Sequence, residues 1–295
     1  MNKKIGIVKI IQDVRSISAD FFLDVFFPKF CVECGGYGEF VCFECVKKIE
    51  PIKTSTCPAC GKISPLGNFC TNCKKKLNLT LSGIIIAANY EAGPTREMIH
   101  HLKYSGFTEL SDLLGELIVQ RLAIESSFFC HPELVSGSIC GSRIPSVSLR
   151  AGKCGMTQTS DCRASNKRSM ARNDREKTDD NSLLVPVPLH INKQTKRGFN
   201  QSEIIAQYVS NRTKIPFKNA LARIKQTESQ VGLSGEERRS NLEGAFQCNE
   251  KSAVSGKTIF LVDDVTTTYS TLNECATELK SAGAKKIYGL VVARG

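Results

Sequence analysis

Eight cysteines and two adjacent aspartates are the residues of this 295-residue chain whose spacing carries chemistry. The cysteines come as four Cys-x-x-Cys pairs: Cys31 with Cys34, Cys42 with Cys45, Cys57 with Cys60, and Cys70 with Cys73. Each pair forms a knuckle whose two thiolates converge on one metal ion, and eight thiolates fill two tetrahedral zinc sites with no open position for catalysis. Gly35 and Gly61 follow two of the pairs and help the backbone turn. The spacing allows sequential sharing, first four and last four, and also an interleaved arrangement. A redox role for one pair is the weaker reading, because four pairs have one common explanation and redox chemistry needs a single pair.

The second constellation is Phe260-Leu-Val-Asp-Asp-Val-Thr-Thr-Thr-Tyr-Ser-Thr271. Asp263 and Asp264 can accept hydrogen bonds from vicinal ribose hydroxyls or hold a magnesium ion through water. The hydroxyl-rich turn behind them exposes backbone N–H groups suited to a phosphate dianion. Such a site needs a strand to deliver the acids and a helix to receive the turn. Ile259 to Val262 is an apolar, β-branched run suited to a buried parallel strand. Leu272, Cys275, Ala276 and Leu279 mark one stripe of the following helix. Thr271 with Glu274 predicts a capping box at its start, and Gly283 predicts its end.

The remaining elements follow in the same way. Residues 5–27 carry apolar positions at mostly helical spacing, ended by Pro28, which predicts an amphipathic helical segment over 1–30 ahead of a cysteine-rich module at 31–80. A second domain spans 81–295. In it, strands are expected at Ile84–Ala88, Leu183–Val187 and Lys286–Ala293, with helices opening at Pro94, continuing to about Ile124, and resuming after Arg197. Residues 126–180 have scattered charge and no sustained apolar period, so an inserted, disordered segment is expected there. Its Cys130, Cys140, Cys154 and Cys162 lack paired spacing. Residues 220–246 read as a polar lid. His100 and His101 are adjacent on a helix, point in different directions, and are left without an assigned role.

The net charge of +11 falls to about +7 once two zinc–tetrathiolate sites, each carrying −2, are counted. A basic balance of that size is weak support for nucleic-acid binding. Nowhere do 18 apolar residues run together, so no spanning helix is expected. Gln12, Asp13, Arg15 and Asp20 interrupt the basic N-terminus and exclude a clean signal peptide, which makes the cytoplasm the expected compartment.

The stretch from Asp263 to Thr271 resembles the signature of the type I phosphoribosyltransferases, two acidic residues and then Thr-Gly-x-Thr, with Tyr269 at the glycine position. Taken together and in order, the zinc knuckles, Val185-Pro-Val-Pro188, Arg197-Gly-Phe-Asn-Gln201, Gln230 followed by Arg238, Arg239 and Asn241, and Leu261-Val-Asp-Asp-Val-Thr-Thr267 resemble the ComF family. These are bacterial proteins with a double zinc ribbon ahead of a phosphoribosyltransferase-like domain, and the match runs from about Phe22 to Gly295 outside the insertion. The resemblance implies an α/β fold, a parallel sheet flanked by helices, preceded by the zinc module. It implies two structural zinc ions, with Cys31, Cys34, Cys42, Cys45, Cys57, Cys60, Cys70 and Cys73 as ligands. It also implies phosphoribosyl pyrophosphate (PRPP) with magnesium over Asp263 and Asp264, the 5′-phosphate in the loop Thr266, Thr267, Thr268, Tyr269, Ser270 and Thr271, and the pyrophosphate near Arg197 with Arg238 or Arg239 closing from the lid. No general base stands out.

Three readings follow. In the first, a protein of DNA uptake and competence uses the fold to sense or dock a sugar phosphate, alongside competence or DNA-processing partners. In the second, it is an active phosphoribosyltransferase transferring ribose 5-phosphate from PRPP to an acceptor. In the third, the zinc ribbon binds nucleic acid directly. Tyr269 favours the first, because a side chain at the glycine position either intrudes on the phosphate or forces a positive φ. Weak or absent PRPP binding is therefore expected, with improvement in Tyr269→Gly.

Overall fold

The computed structural model describes residues 28–91, 93–128, 181–225 and 242–295. The helical segment expected at 5–27, the insertion from residue 129 onward with its four cysteines, and Gln230, Arg238, Arg239 and Asn241 lie outside them.

The second domain is built on a four-stranded parallel sheet of order β1-β6-β5-β2. Its strands are β1 (Gly83–Asn89), β2 (Ser182–Pro186), β5 (Thr258–Thr266) and β6 (Lys286–Arg294). The two central strands pair from Thr258 opposite Lys286 to Thr266 opposite Arg294. Ile259, Leu261, Val262, Leu290, Val291 and Val292 are fully buried, as expected of strands covered on both faces. Helices α3 (Thr95–Tyr104), α4 (Leu110–Phe128) and α6 (Gln201–Thr213) enclose one apolar cluster with Met98, Ile99, Leu102, Leu114, Ile118 and Ile205. Helix α8 (Ser270–Ser281) contributes to a second, through Leu272, Cys275, Ala276 and Leu279.

Three boundaries depart from expectation. Strand β5 runs through both aspartates to Thr266, because Asp263 and Val265 continue the ladder opposite Val291 and Ala293. Helix α4 continues to Phe128 instead of ending near Ile124. The two ends of the 220–246 stretch pair as an antiparallel ribbon, β3 (Leu221–Arg223) with β4 (Phe246–Cys248), held by the buried Leu221 and Phe246. Two short helices complete the domain, α5 (Ile191–Arg197) after β2 and α7 (Lys251–Val254) after β4.

The cysteine module, with short helices α1 (Phe43–Val46) and α2 (Thr71–Lys76), packs directly on this domain. The Ile52 N–H donates to the Ala87 carbonyl at 2.9 Å and the Phe69 N–H to the Ser82 carbonyl at 3.0 Å, tying the module to the β1 edge. Gly67 makes the closest approach: a Cβ there would lie 2.0 Å from the Ile84 carbonyl oxygen, so only glycine fits. No helix among the described residues is long and apolar enough to cross a membrane.

Candidate ligand site and zinc centres

The cysteines group sequentially. Cys31, Cys34, Cys42 and Cys45 form one cluster and Cys57, Cys60, Cys70 and Cys73 the other, with all ligand atoms of each within 4.8 Å of one another. The sulfurs of Cys34 and Cys42 are 3.6 Å apart and those of Cys60 and Cys70 3.8 Å. A tetrahedron with zinc–sulfur bonds of about 2.3 Å has edges of about 3.8 Å. The Cys42 and Cys70 N–H groups each donate to a sulfur across the cluster, at 3.4 Å to Cys31 and Cys57. Burial opposes ionisation of Cys31 and Cys57, but backbone N–H groups outweigh it and lower both to about 6. Cys45 is pushed up by burial and by neighbouring thiols, and Cys73 is raised to about 12 by Cys70 and burial. Four thiols so divided cannot all ionise without a cation among them, so the donor sets fit zinc. Zinc bound here closes the knuckles and has no open position.

The acidic pair sits at the carboxyl end of β5, with the loop Thr266–Tyr269 leading into α8. The expected capping box is absent. The helix starts at Ser270 with Tyr269 as N-cap, no side chain caps it, and the Glu274 carboxylate accepts instead from the Gly244 N–H at 2.8 Å. The first-turn N–H groups of a helix have no partner within it and suit an anion.

Tyr269 adopts φ +62°, the positive angle expected as the cost of a side chain at this position. Its ring does not stay with the loop. It is 92% buried in the cysteine module, edge-on to Phe69 at 5.5 Å and beneath the Arg294 guanidinium at 5.7 Å. Its hydroxyl donates to the Pro58 carbonyl, inside the first knuckle of the second cluster, at 2.7 Å. This corrects the expectation for Tyr269→Gly. That change relieves the positive φ but removes the ring that anchors the loop to the zinc module, so it is not expected to improve binding.

The carboxylates already have partners within the protein. Lys103 of α3 places its ammonium 2.9 Å from Asp264 Oδ2. The Val265 N–H donates to Asp264 Oδ1 at 2.6 Å. Asp263 Oδ1 accepts from the Ser202 hydroxyl and from the Asp264 N–H, both at 2.9 Å. Burial, together with the charge of Asp264, raises the Asp263 carboxyl to about 7. Burial works against the Lys103 charge, and Asp264 and Asp263 outweigh it to hold the ammonium above its ordinary value.

The raised Asp263 value has a consequence for stability. An acid whose folded value exceeds its unfolded one contributes stability at low pH and loses it as pH rises through the folded value. Asp263→Asn is therefore expected to gain on the native chain between pH 5.5 and 8 by about 2 kcal/mol or somewhat less, since the residue keeps some solvent contact. Urea denaturation at the two pH values measures this, and an equal gap at both contradicts it.

Arg197 donates to the Gln201 side chain at 3.1 Å and lies over the Tyr104 ring at 5.3 Å. Asn200 caps α6: its Oδ1 accepts from the Ser202 N–H at 3.2 Å, while its Nδ2 donates to the Val187 carbonyl. Helix-start hydrogen bonding thus accounts for Asn200. Beside it opens a cleft of about 310 Å³, lined by Pro186, Pro188, Gln194, Asn200 and Arg223 among others. Burial lowers the Lys193 ammonium, and the charges of Arg223, Arg197 and Lys103 lower it further, so four cations lie within electrostatic reach of one another, with Arg223 lining the cleft. Lys103, Lys193, Ser202 and Arg223 escaped the sequence reading. Lys103 carries a partial signal there, since Met98, Ile99 and Leu102 fix the inward face of its helix. Glu97 brings a third donor within 4.8 Å of those of His100 and His101, a spacing of i, i+3 and i+4 that the adjacent pair alone does not suggest. Phe69 is buried against Tyr269.

The fold and site define a class: a double zinc ribbon ahead of a parallel sheet flanked by helices, with an acidic pair at the end of the strand of a strand–loop–helix. Residues 22–74 match the model of the double zinc ribbon domain. The chain is 41% identical to Competence protein F of Haemophilus influenzae over 106 residues, 35% of this chain and 46% of that protein. It is 26% identical to the DNA utilization protein YhgH of Escherichia coli K12 over 249 residues, 84% of this chain and 87% of the relative. With Competence protein ComFC of Bacillus subtilis it shares 23% over 83% of its length and 80% of the relative. A solved structure titled as the allosteric regulatory enzyme of purine biosynthesis aligns with 37% of this chain and 21% of its own, at 20% identity and a TM-score of 0.27. The chain is thus similar to competence and DNA utilization proteins, to two of them over more than four fifths of its length.

Proposed function

We propose that this chain serves DNA uptake or use, and that its phosphoribosyltransferase-type site is a receptor for a sugar phosphate such as PRPP, without transferase turnover. The names of its relatives support the first part. One observation carries the second: Lys103 and Ser202 hold the two carboxylates that a transferase would present to ribose and magnesium. The cluster of four cations and the uncapped start of α8 favour a phosphate-bearing ligand over a neutral one. Zinc thiolates and the absence of paired spacing among the other cysteines fit a reducing compartment, the cytoplasm.

Titration calorimetry with PRPP, paired with a pyrophosphate-release assay against a panel of nucleobases, tests the site. Binding without pyrophosphate release is expected. Steady release with any acceptor restores the transferase reading, and absence of binding removes the receptor. Expression in an E. coli strain lacking its DNA utilization protein tests the role, with restored use of DNA expected from the native chain and loss of that rescue in Cys57→Ser.

A further inference from the structure

We infer that Lys103 is the resident cation of the acidic pair, so that the phosphate-bearing ligand of this site binds without a divalent metal. The inference rests on the receptor reading above and deepens it. Magnesium prefers octahedral oxygen ligands, keeps several waters and binds through one or two free carboxylates. Both oxygens of Asp264 already have a partner. Its Oδ1 accepts from the Val265 N–H at 2.6 Å and its Oδ2 is 2.9 Å from the Lys103 ammonium. Asp263 Oδ1 is shared between the Ser202 hydroxyl and a backbone N–H. A divalent ion entering here would meet an ammonium on the far side of the same carboxylate, a like-charge contact in a poorly solvated place. The residues therefore do not fit magnesium.

Lys103 is not a loose surface lysine that a metal could sweep aside. Met98, Ile99 and Leu102 on the same helix are buried in the core, and the lysine side chain itself is 23% exposed. A compact ammonium on a fixed stem offers three donors, enough to hold a carboxylate while also meeting a ligand oxygen. The charge that magnesium would supply to a pyrophosphate is available from the chain, since Arg223 lines the cleft and the charges of Arg223, Arg197 and Lys103 all act on Lys193. The ligand class that follows is a polyphosphate or sugar phosphate taken in its metal-free form.

The experiment uses the full, zinc-loaded chain, with Mn²⁺ as a paramagnetic probe of the acidic pair and inorganic pyrophosphate as the ligand probe. Magnesium-free buffer is prepared on a chelating resin, since a soluble chelator would strip the zinc. The native chain is expected to take up no Mn²⁺ at this pair at 0.1 mM, and its pyrophosphate affinity is expected to change less than twofold when magnesium is added. Lys103→Met, which keeps the stem and removes the charge, is expected to gain a Mn²⁺ site that Asp264→Asn in the same background abolishes, and to need magnesium for tenfold of its pyrophosphate affinity. Lys103→Arg keeps a cation and is expected to exclude Mn²⁺ as the native chain does; it decides the matter if Lys103→Met fails to fold. Mn²⁺ uptake by the native chain that Asp264→Asn removes, a tenfold magnesium requirement in the native chain, or a Lys103→Met that folds and binds no Mn²⁺ overturns the inference. A native chain that binds pyrophosphate in neither buffer defeats the receptor reading, and the Mn²⁺ results then decide the role of Lys103 alone.

Discussion

Stripping zinc from the purified chain is expected to unfold residues 31–76 and, with them, to release the loop from Thr266 to Tyr269. Structural zinc in small ribbon modules is held with apparent free energies on the order of 10–16 kcal/mol at neutral pH, and that binding energy is the folding energy of the module. The second cluster reaches the ligand site through Pro58, which lies between Cys57 and Cys60 and whose carbonyl accepts from both the Tyr269 hydroxyl and the Arg294 guanidinium. A tyrosine at positive φ costs on the order of 1 kcal/mol or more. Burial of its ring against Phe69 and the hydrogen bond to Pro58 offset that cost only while the knuckle is closed. Elemental analysis should give two zinc ions per chain. Hydrogen exchange at residues 266–272 should lose protection in Cys57→Ser and keep it in Cys34→Ser, whose cluster does not touch Tyr269. One zinc or none in the intact protein, or equal protection in the two variants, contradicts this.

The parts legible in the sequence were those set by local chemistry. Four Cys-x-x-Cys pairs announce two metal sites because thiolate spacing alone determines a knuckle. The stripe of Leu272, Cys275, Ala276 and Leu279 announces α8 because one helical face must be apolar, and all four are buried. The strand–acid–loop–helix order is likewise local. What escaped depends on contacts between distant segments. Nothing near Tyr269 in sequence says that its ring will find Pro58, 211 residues away. Nothing near Asp264 announces Lys103, which arrives from a helix 161 residues earlier in the chain. The capping box failed for a related reason. Thr271 and Glu274 fit the local pattern, but the Gly244 N–H claimed the glutamate and left the helix start without a side-chain cap. Asn200 is the opposite case, since its helix-start role is set by its own local sequence.

Removing either member of the Arg121–Glu125 pair is expected to cost about 3–5 kcal/mol, more than any other single change on the surface between the zinc module and the sheet. The two side chains are 2% and 5% exposed and lie 2.5 Å apart on adjacent turns of α4. Their partners come from three segments. Arg121 Nε donates to the Ile86 carbonyl of β1 at 3.2 Å and its Nη2 to the Ser55 hydroxyl, which in turn donates to Glu125. Glu125 Oε2 accepts from the Leu66 N–H at 3.1 Å. Ser55 and Leu66 flank the first knuckle of the second zinc cluster, so the pair pins that module to the helix and the sheet at once. Truncating one partner leaves the other charged and buried without its counter-ion, which is where the large cost arises. Replacing both together removes both desolvation penalties, so Arg121→Met with Glu125→Leu should cost clearly less than the two single alanine changes added together. Urea denaturation of the zinc-loaded native chain, Arg121→Ala, Glu125→Ala and the double variant measures each term. Single changes that each cost less than about 1 kcal/mol would mean the pair behaves as an exposed one and does not hold the module in place.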